Sequence, residues 1–170
     1  MSKMSAAASA ARPASGPQRG FTLMELVVTL ALLGLLAMLA APLSELAVQR
    51  AREQELRVAL REIRSALDQY KAAAEQGLIE RRVGDSGYPP DLDSLAKGVR
   101  NQKSPGHEPM FFLRRVPRDP FAAPQLPAAL SWGLRSYVSP AQAPAAGVDV
   151  FDVYTESTAI GLNGLAYREW

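Results

Sequence analysis

The chain changes from polar to strongly apolar sequence at Arg19-Gly20-Phe21-Thr22-Leu23-Met24-Glu25. Before this stretch the residues are rich in Ala, Ser and Pro, and their only charges are basic. After it, residues 26–44 carry no charge, and this run is long enough for the helix of roughly 20 residues that crosses a bilayer. The sequence therefore predicts a leader, 1–20, that takes no fold of its own, and a membrane-spanning helix, 21–43.

Charge and composition indicate the orientation in the membrane and exclude several kinds of binding and catalytic site. Basic residues before an apolar run place the leader in the cytoplasm and the following domain on the other side of the membrane. After residue 43 acidic and basic residues are equal in number, so no nucleic-acid-binding patch is indicated. The absence of cysteine excludes disulfides, thiolate metal sites, a catalytic cysteine and a lipidated cysteine.

The segment 44–76 is predicted to continue the first helix as an amphipathic one. Its apolar residues recur at spacings of three and four, which form one stripe: Leu56, Leu60, Ile63, Leu67, Tyr70 and Ala74. The charged residues are predicted to cover the other faces: Arg52, Glu53, Glu55, Arg57, Arg61, Glu62 and Arg64. Pro42 removes a backbone donor, so we expect loosening of the helix near it.

The remainder, 77–170, is predicted to be one loop-rich domain. It begins with a short helix over 91–96 capped by Asp91, followed by a Pro-punctuated ordered loop over 97–130. Three strands are predicted over 133–139, 148–155 and 165–170. The fold class is therefore α+β, with a long helix packed on an antiparallel sheet of about three strands.

Several motifs carry a family resemblance. Residues 20–25 resemble the cleavage motif of type IV prepilins and type II secretion pseudopilins. Further segments resemble the major pseudopilin of type II secretion, the G-type subunit: Tyr88-Pro89, 92–95, 112–121, Phe151-Asp152-Val153-Tyr154 and Trp170. The resemblance covers nearly all of residues 20–170, and it implies the type IV pilin-like fold.

The resemblance also implies a life cycle. An inner-membrane prepilin peptidase would cut between Gly20 and Phe21 and methylate the new amine of Phe21. The product, whose helix contacts membrane lipid, would assemble with copies of itself and other pseudopilins into a periplasmic filament. A cytoplasmic ATPase would drive this assembly through an inner-membrane platform. The filament would push exoproteins through an outer-membrane secretin. Gly34 and Pro42 match the helix-loosening positions of the family.

Glu25 is the only charged residue within 21–43. A carboxylate at the bilayer centre costs about 3 kcal/mol on insertion scales, so it usually has a partner. Its position suits the positive end of the helix dipole. It could pair within its own chain, snorkel to the headgroups or pair with a neighbouring subunit; the resemblance implies the last.

Calcium is the one cofactor that the resemblance suggests. Family members bind it in the loop between the last two strands, and Ca²⁺ takes six to eight oxygen ligands. The corresponding loop here has one carboxylate, so the acidic ligands of the family do not map onto it. The sequence predicts no firm metal site, and the residual calcium candidates are the oxygens of Thr155, Glu156, Ser157 and Asn163.

No catalytic residue is predicted. The sequence contains no triad pattern, phosphate-binding glycine loop or HExxH helix, and His107 is the only histidine. Two alternatives to a secretion pseudopilin stay open: a type IV pilin or minor pilin for adhesion, motility or DNA uptake, and a single-span anchored enzyme or binding domain. An anchored enzyme or binding domain would leave Glu25 without a role.

Overall fold

The computed structural model describes residues 20–170, so the predicted leader lies outside the described residues. Helix α1 runs over Leu23–Glu75, which confirms the predicted continuous helix. It ends where Gly77 adopts a φ of 68°, a left-handed conformation that glycine takes without steric cost. The backbone nitrogen of Leu78 then donates to the carbonyl of Ala73 at 2.9 Å, which satisfies one of the last helical acceptors.

Gly34 and Pro42 both lie inside α1, which the structure shows as helical across them. A β-carbon added at Gly34 would meet no atom within 4 Å. The missing side chain therefore leaves a small gap in the exposed surface of the helix. The loosening predicted near Pro42 does not interrupt the helix. The role of Gly34 and Pro42 in filament packing stays a prediction.

The described residues divide into two compact units, one that ends at Ser44 and one over Glu45–Trp170, called here the first and second units. The core of the second unit forms on the predicted stripe of α1, where all six predicted residues are buried. Opposite them lie buried residues from the rest of the domain, including Leu92, Leu95, Val150, Val153 and Tyr167. The amphipathic pattern therefore predicted the packing face correctly.

Two small sheets accompany the helix. Strands β1 (Val99–Arg100) and β2 (Pro109–Met110) pair antiparallel, and so do β3 (Gly133–Arg135) and β4 (Asp152–Tyr154). The pair β3–β4 lies inside two of the predicted strands. β1 and β2 are short additions within a segment that is otherwise the predicted loop. Gly133 permits the pairing, since a β-carbon there would lie 2.3 Å from the Tyr154 ring.

The third predicted strand, 165–170, is wrong in detail. The structure has an isolated bridge between Ile160 and Ala166, followed by a 3-10 helix over Tyr167–Glu169. Tyr167 and Trp170 explain the difference, because their rings contact each other at 5.0 Å and both pack on the core. Residues i and i+3 share one side of a 3-10 helix, whereas in a strand they face opposite sides.

The short helix predicted over 91–96 is present as α2, Asp93–Lys97. The Asp91 carboxylate accepts hydrogen bonds from the backbone nitrogen and the hydroxyl of Ser94, both at 2.8 Å. Asp91 therefore performs the predicted capping function at the start of this helix.

Candidate processing, assembly and turn sites

Thr22 stabilises the N-terminus of α1. Its hydroxyl oxygen accepts a hydrogen bond from the backbone nitrogen of Glu25 at 3.2 Å, and its carbonyl accepts from Leu26 at 3.1 Å. Thr22 is thus the N-cap of the helix. The spacing Thr-x-x-Glu is the sequence signature of such a cap, so the sequence itself marks this helix start. The predicted cleavage bond, Gly20–Phe21, lies just before this cap.

Glu25 lies in the first turn of α1 and is exposed. Among residues 20–170 its carboxylate has no hydrogen-bond or ion-pair partner. Its large neighbours Phe21, Met24 and Leu26 are apolar and more than half exposed. A negative charge is favoured at this end of a helix, but the surrounding surface offers it no cation. The site therefore presents an unpaired carboxylate on an apolar helix.

The apolar side chains at the start of α1 are exposed in the part of the chain that the structure describes. In the part of the chain that the structure describes, one helix is long and apolar enough to cross a membrane, and it is α1. Its large side chains from Leu23 to Leu36 are exposed, Val28 least of them. Such a surface needs lipid or other apolar helices around it.

The calcium candidates are engaged in turns. The Thr155 hydroxyl accepts from the backbone nitrogen of Ser157 at 3.1 Å, and the Ser157 hydroxyl accepts from Ala159 at 3.3 Å. The Asn163 carbonyl oxygen accepts from the backbone nitrogen of Leu165 at 3.1 Å. Side-chain bonds of this kind are the usual chemistry of Asx and Ser/Thr turns.

The fourth calcium candidate, Glu156, is exposed. Within residues 20–170 no three His, Cys, Asp or Glu side chains group together as metal ligands would. The arrangement resembles a set of hydrogen-bonded turns more than a calcium site.

The final turn is held by a residue that sequence reasoning placed wrongly. The helical pattern predicts Glu53 on a charged face away from the apolar stripe, but its side chain is buried, at 5% exposure. Its Oε1 accepts from the backbone nitrogen of Leu162 at 2.8 Å, from the Tyr167 hydroxyl at 2.9 Å and from Gln49 at 3.4 Å. One carboxylate oxygen therefore joins α1 to the turn over 160–167.

A signal for this role was present in the sequence. Glu53 lies three residues before Leu56, so it extends the buried stripe by one more helical step. Burial raises the pKa of Tyr167, and its hydrogen bond to Glu53 acts in the same direction, while the hydrogen bond from Gln49 lowers it. The phenol therefore stays a neutral donor to the carboxylate at neutral pH.

A second polar cluster joins α1 to β4. The Nε of Arg64 contacts Asp152 at 2.8 Å, and its Nη2 donates to the carbonyls of Val153 and Trp170 at 3.1 and 2.9 Å. Arg135 contacts the other oxygen of Asp152 at 3.4 Å. Charge-assisted bonds of this geometry fix the sheet and the chain end to the helix.

Three other side chains with polar atoms lie outside these clusters. The Asp119 carboxylate accepts from the backbone nitrogen of Phe121 at 2.8 Å, a bond typical of Asp in turns. His107 is exposed, in a loop with a φ of 48°. The Trp132 indole nitrogen donates to the Pro117 carbonyl at 2.8 Å, as a packing residue would.

A capped, membrane-length helix that continues into a small α+β unit defines the chain as a pilin-like protein. In agreement, the family described as the prokaryotic N-terminal methylation motif matches residues 16–41. Two proteins named "Type II secretion system core protein G" are each 30% identical to the chain over 110 residues. One is from Dickeya chrysanthemi and the other from Klebsiella pneumoniae.

The alignments cover 62% of this chain, with 65% of the Dickeya protein and 71% of the Klebsiella protein. No solved structure matches the chain. The chain belongs to the family of type II secretion system core protein G.

Proposed function

We propose that this chain is a structural subunit of the periplasmic pseudopilus of a type II protein secretion system and has no enzymatic activity. The observation that carries the proposal is the exposed Glu25 carboxylate, which has no partner among residues 20–170, at the capped start of an exposed apolar helix. Family membership supports the same conclusion. The relatives are named as core proteins of this secretion system.

The proposed maturation uses the residues before the cap. Prepilin peptidase cuts between Gly20 and Phe21, and the amine of Phe21 is then methylated. The methylation motif over residues 16–41 supports this step. Thr22 lies on the retained side of the cut, so the helix start is preserved.

The proposed assembly uses Glu25. Before assembly the first unit lies in the inner membrane, with the N-terminus in the cytoplasm and the second unit in the periplasm. During assembly the Glu25 carboxylate pairs with the Phe21 amine of a neighbouring subunit, and the apolar halves of the helices form the filament core. Other pseudopilins, the platform with its ATPase and the secretin are the further partners. The growing filament pushes exoproteins outward.

A comparison of Glu25→Ala with Glu45→Ala tests this proposal. Glu45 is also exposed on α1, but it lies beyond the apolar run. Each variant is produced with its secretion machinery, the mature N-terminus is determined by mass spectrometry, and filaments are examined by electron microscopy.

We expect both variants to begin at a methylated Phe21, and only Glu45→Ala to form filaments. Normal filaments from Glu25→Ala would refute the assembly role of the carboxylate. A mature chain that begins upstream of Phe21 would refute the proposed cleavage.

A further inference from the structure

The part of α1 that belongs to the second unit carries two rows of opposite charge. The row called basic here consists of Arg50 and Arg57, and the row called acidic consists of Glu55 and Glu62. All of these side chains are exposed. The two members of each row are seven positions apart, which is about two helical turns, so one lies above the other on the helix surface.

The two rows lie on opposite flanks of the helix. An α-helix turns by about 100° per residue, so the basic row points about 110° to one side of the buried stripe and the acidic row about 110° to the other. The surface between the rows, directly opposite the stripe, is uncharged and exposed over Ala51, Gln54, Val58 and Ser65. When two parallel copies stand side by side with their stripes turned the same way, the basic flank of one therefore faces the acidic flank of the next.

Neither row is neutralised within its own chain. Among residues 20–170 the four side chains have no ion pair and no hydrogen bond. Ion pairs on one helix join residues three or four positions apart, and Glu62 has no basic residue at those spacings. The only acidic residue at those spacings from Arg50 and Arg57 is Glu53, which is buried and accepts hydrogen bonds from the final turn.

The other charged residues nearby do not cancel the rows. Arg61 lies beside the basic row and adds to its charge, whereas Arg52 lies close to the direction of the buried stripe and forms no ion pair within residues 20–170. The guanidinium carbon of Arg57 lies 4.3 Å from the centre of the Trp170 ring. A guanidinium stacked in this way keeps its N–H donors in its own plane, where a carboxylate can accept from them.

The spacing of the rows defines a register between two copies. Arg50 precedes Glu55 by five positions, and Arg57 precedes Glu62 by five. A single displacement of about 7.5 Å along α1 therefore brings both pairs to the same level. Undisplaced copies would instead match Arg57 with Glu55 and leave Arg50 without a partner, and such copies close into a ring, whereas displaced copies continue as an open filament.

We infer that the basic row of one copy of this chain pairs with the acidic row of the next copy, Arg50 with Glu55 and Arg57 with Glu62. The copies are parallel and displaced by about 7.5 Å along α1. The occupant is a second copy because the chain itself carries the complementary row, at matching spacing and on the opposite flank. The inference deepens the proposed function and rests on it.

The rows set the register of the filament more than its strength. Exposed ion pairs contribute little to affinity, so the attraction comes from the apolar half of α1, which the proposed function places in the filament core. Complementary charges across an interface select the correct partner and fix its register, because a wrong register places like charges together. The rows therefore select one displacement among those that an apolar surface alone would permit.

Charge reversal in the full-length chain tests the contact. Arg50→Glu and Glu55→Arg are made singly and together, each variant is produced with its secretion machinery, and filaments are counted by electron microscopy. Each single reversal places like charges opposite each other at every interface, so we expect filaments to be lost. The matched double variant restores the pair in reversed order, so we expect filaments to return.

Thermal unfolding in detergent micelles shows whether each variant is folded, and we expect an unchanged Tm because Arg50 and Glu55 have no ion pair or hydrogen bond within residues 20–170. Arg57→Glu with Glu62→Arg is the second pair, and it is used in the same way if a variant of the first pair has a lower Tm.

The matched control is Arg50→Glu combined with Glu62→Arg. It has the same net charge as the matched double variant, but each reversed residue faces an unreversed residue of like charge, so we expect no filaments. Normal filaments from either single variant, or equal recovery in this control, would overturn the inferred pairing.

A matched double variant without filaments would also overturn the pairing, and it is the result expected if the basic row bound an anionic lipid surface. All of these results leave the proposed function intact. If the unsubstituted chain forms no filaments with its machinery, the proposed function fails and the contact fails with it.

Discussion

Replacing Glu53 with alanine should destabilise the second unit strongly. The change removes the acceptor of two short hydrogen bonds, from Leu162 and Tyr167 at 2.8 and 2.9 Å. Hydrogen bonds to charged groups contribute about 1.5–3 kcal/mol each. Because the two donors share one oxygen, their losses are not fully additive, and we expect a decrease of about 4 kcal/mol in the free energy of unfolding.

Two further variants accompany Glu53→Ala: one keeps the shape of the side chain but removes its charge, and the other is a control at a neighbouring exposed carboxylate. Glu53→Gln keeps an oxygen acceptor and loses the charge, so we expect a decrease of about 1.5 kcal/mol. Glu55→Ala changes a neighbouring carboxylate that is exposed and has no hydrogen-bond or ion-pair partner in residues 20–170. A surface substitution of this kind should change stability by less than about 0.5 kcal/mol.

The assay is thermal unfolding of the full-length chain in detergent micelles, followed by tryptophan fluorescence. For a domain of this size 1 kcal/mol corresponds to about 4 °C in Tm. Glu53→Ala should therefore lower Tm by roughly 15 °C and Glu53→Gln by roughly 6 °C. A Tm for Glu53→Ala that equals that of Glu55→Ala would refute the anchoring role, and equal effects of Ala and Gln would refute the shared-acceptor argument.

Two other predictions concern the same turn. Calcium should not raise the Tm of the full-length chain, and a chelator should not lower it, because three of the four candidate side-chain oxygens already accept backbone hydrogen bonds; a calcium-dependent rise would contradict this. Burial raises the pKa of Tyr167, so between about pH 10 and that higher value the folded state keeps a proton that the unfolded state loses. Stability should fall as pH rises through this window, and a Tm measured against pH should fall less steeply for Tyr167→Phe; identical slopes would contradict the assignment.

Periodicity predicted the long helix and its buried stripe because both follow from residues close in sequence. The spacing of Leu56, Leu60 and Ile63 fixes which face turns inward whatever the partner is. The α+β class and the position of the β3–β4 pair followed from β-branched and aromatic composition in the same way.

The errors arose where distant residues decide the outcome. Glu53 is charged, so its side-chain type predicts exposure to solvent, but its partners Leu162 and Tyr167 lie more than a hundred positions later. The segment 165–170 has strand composition, but Tyr167 and Trp170 must face the same core, and a 3-10 turn achieves this. Tertiary packing overrode local propensity in both cases.

The N-cap at Thr22 has a consequence for the proposed filament. Cleavage after Gly20 would leave an ammonium group at Phe21, directly before the positive end of the dipole of its own helix. That position is electrostatically unfavourable for a cation, whereas the Glu25 carboxylate one turn later is favoured by the same dipole. Each processed subunit would therefore carry a cation that its own helix repels and an anion without a partner. Neighbouring subunits could neutralise both at once, so the helix dipole itself would favour polymerisation over the isolated chain.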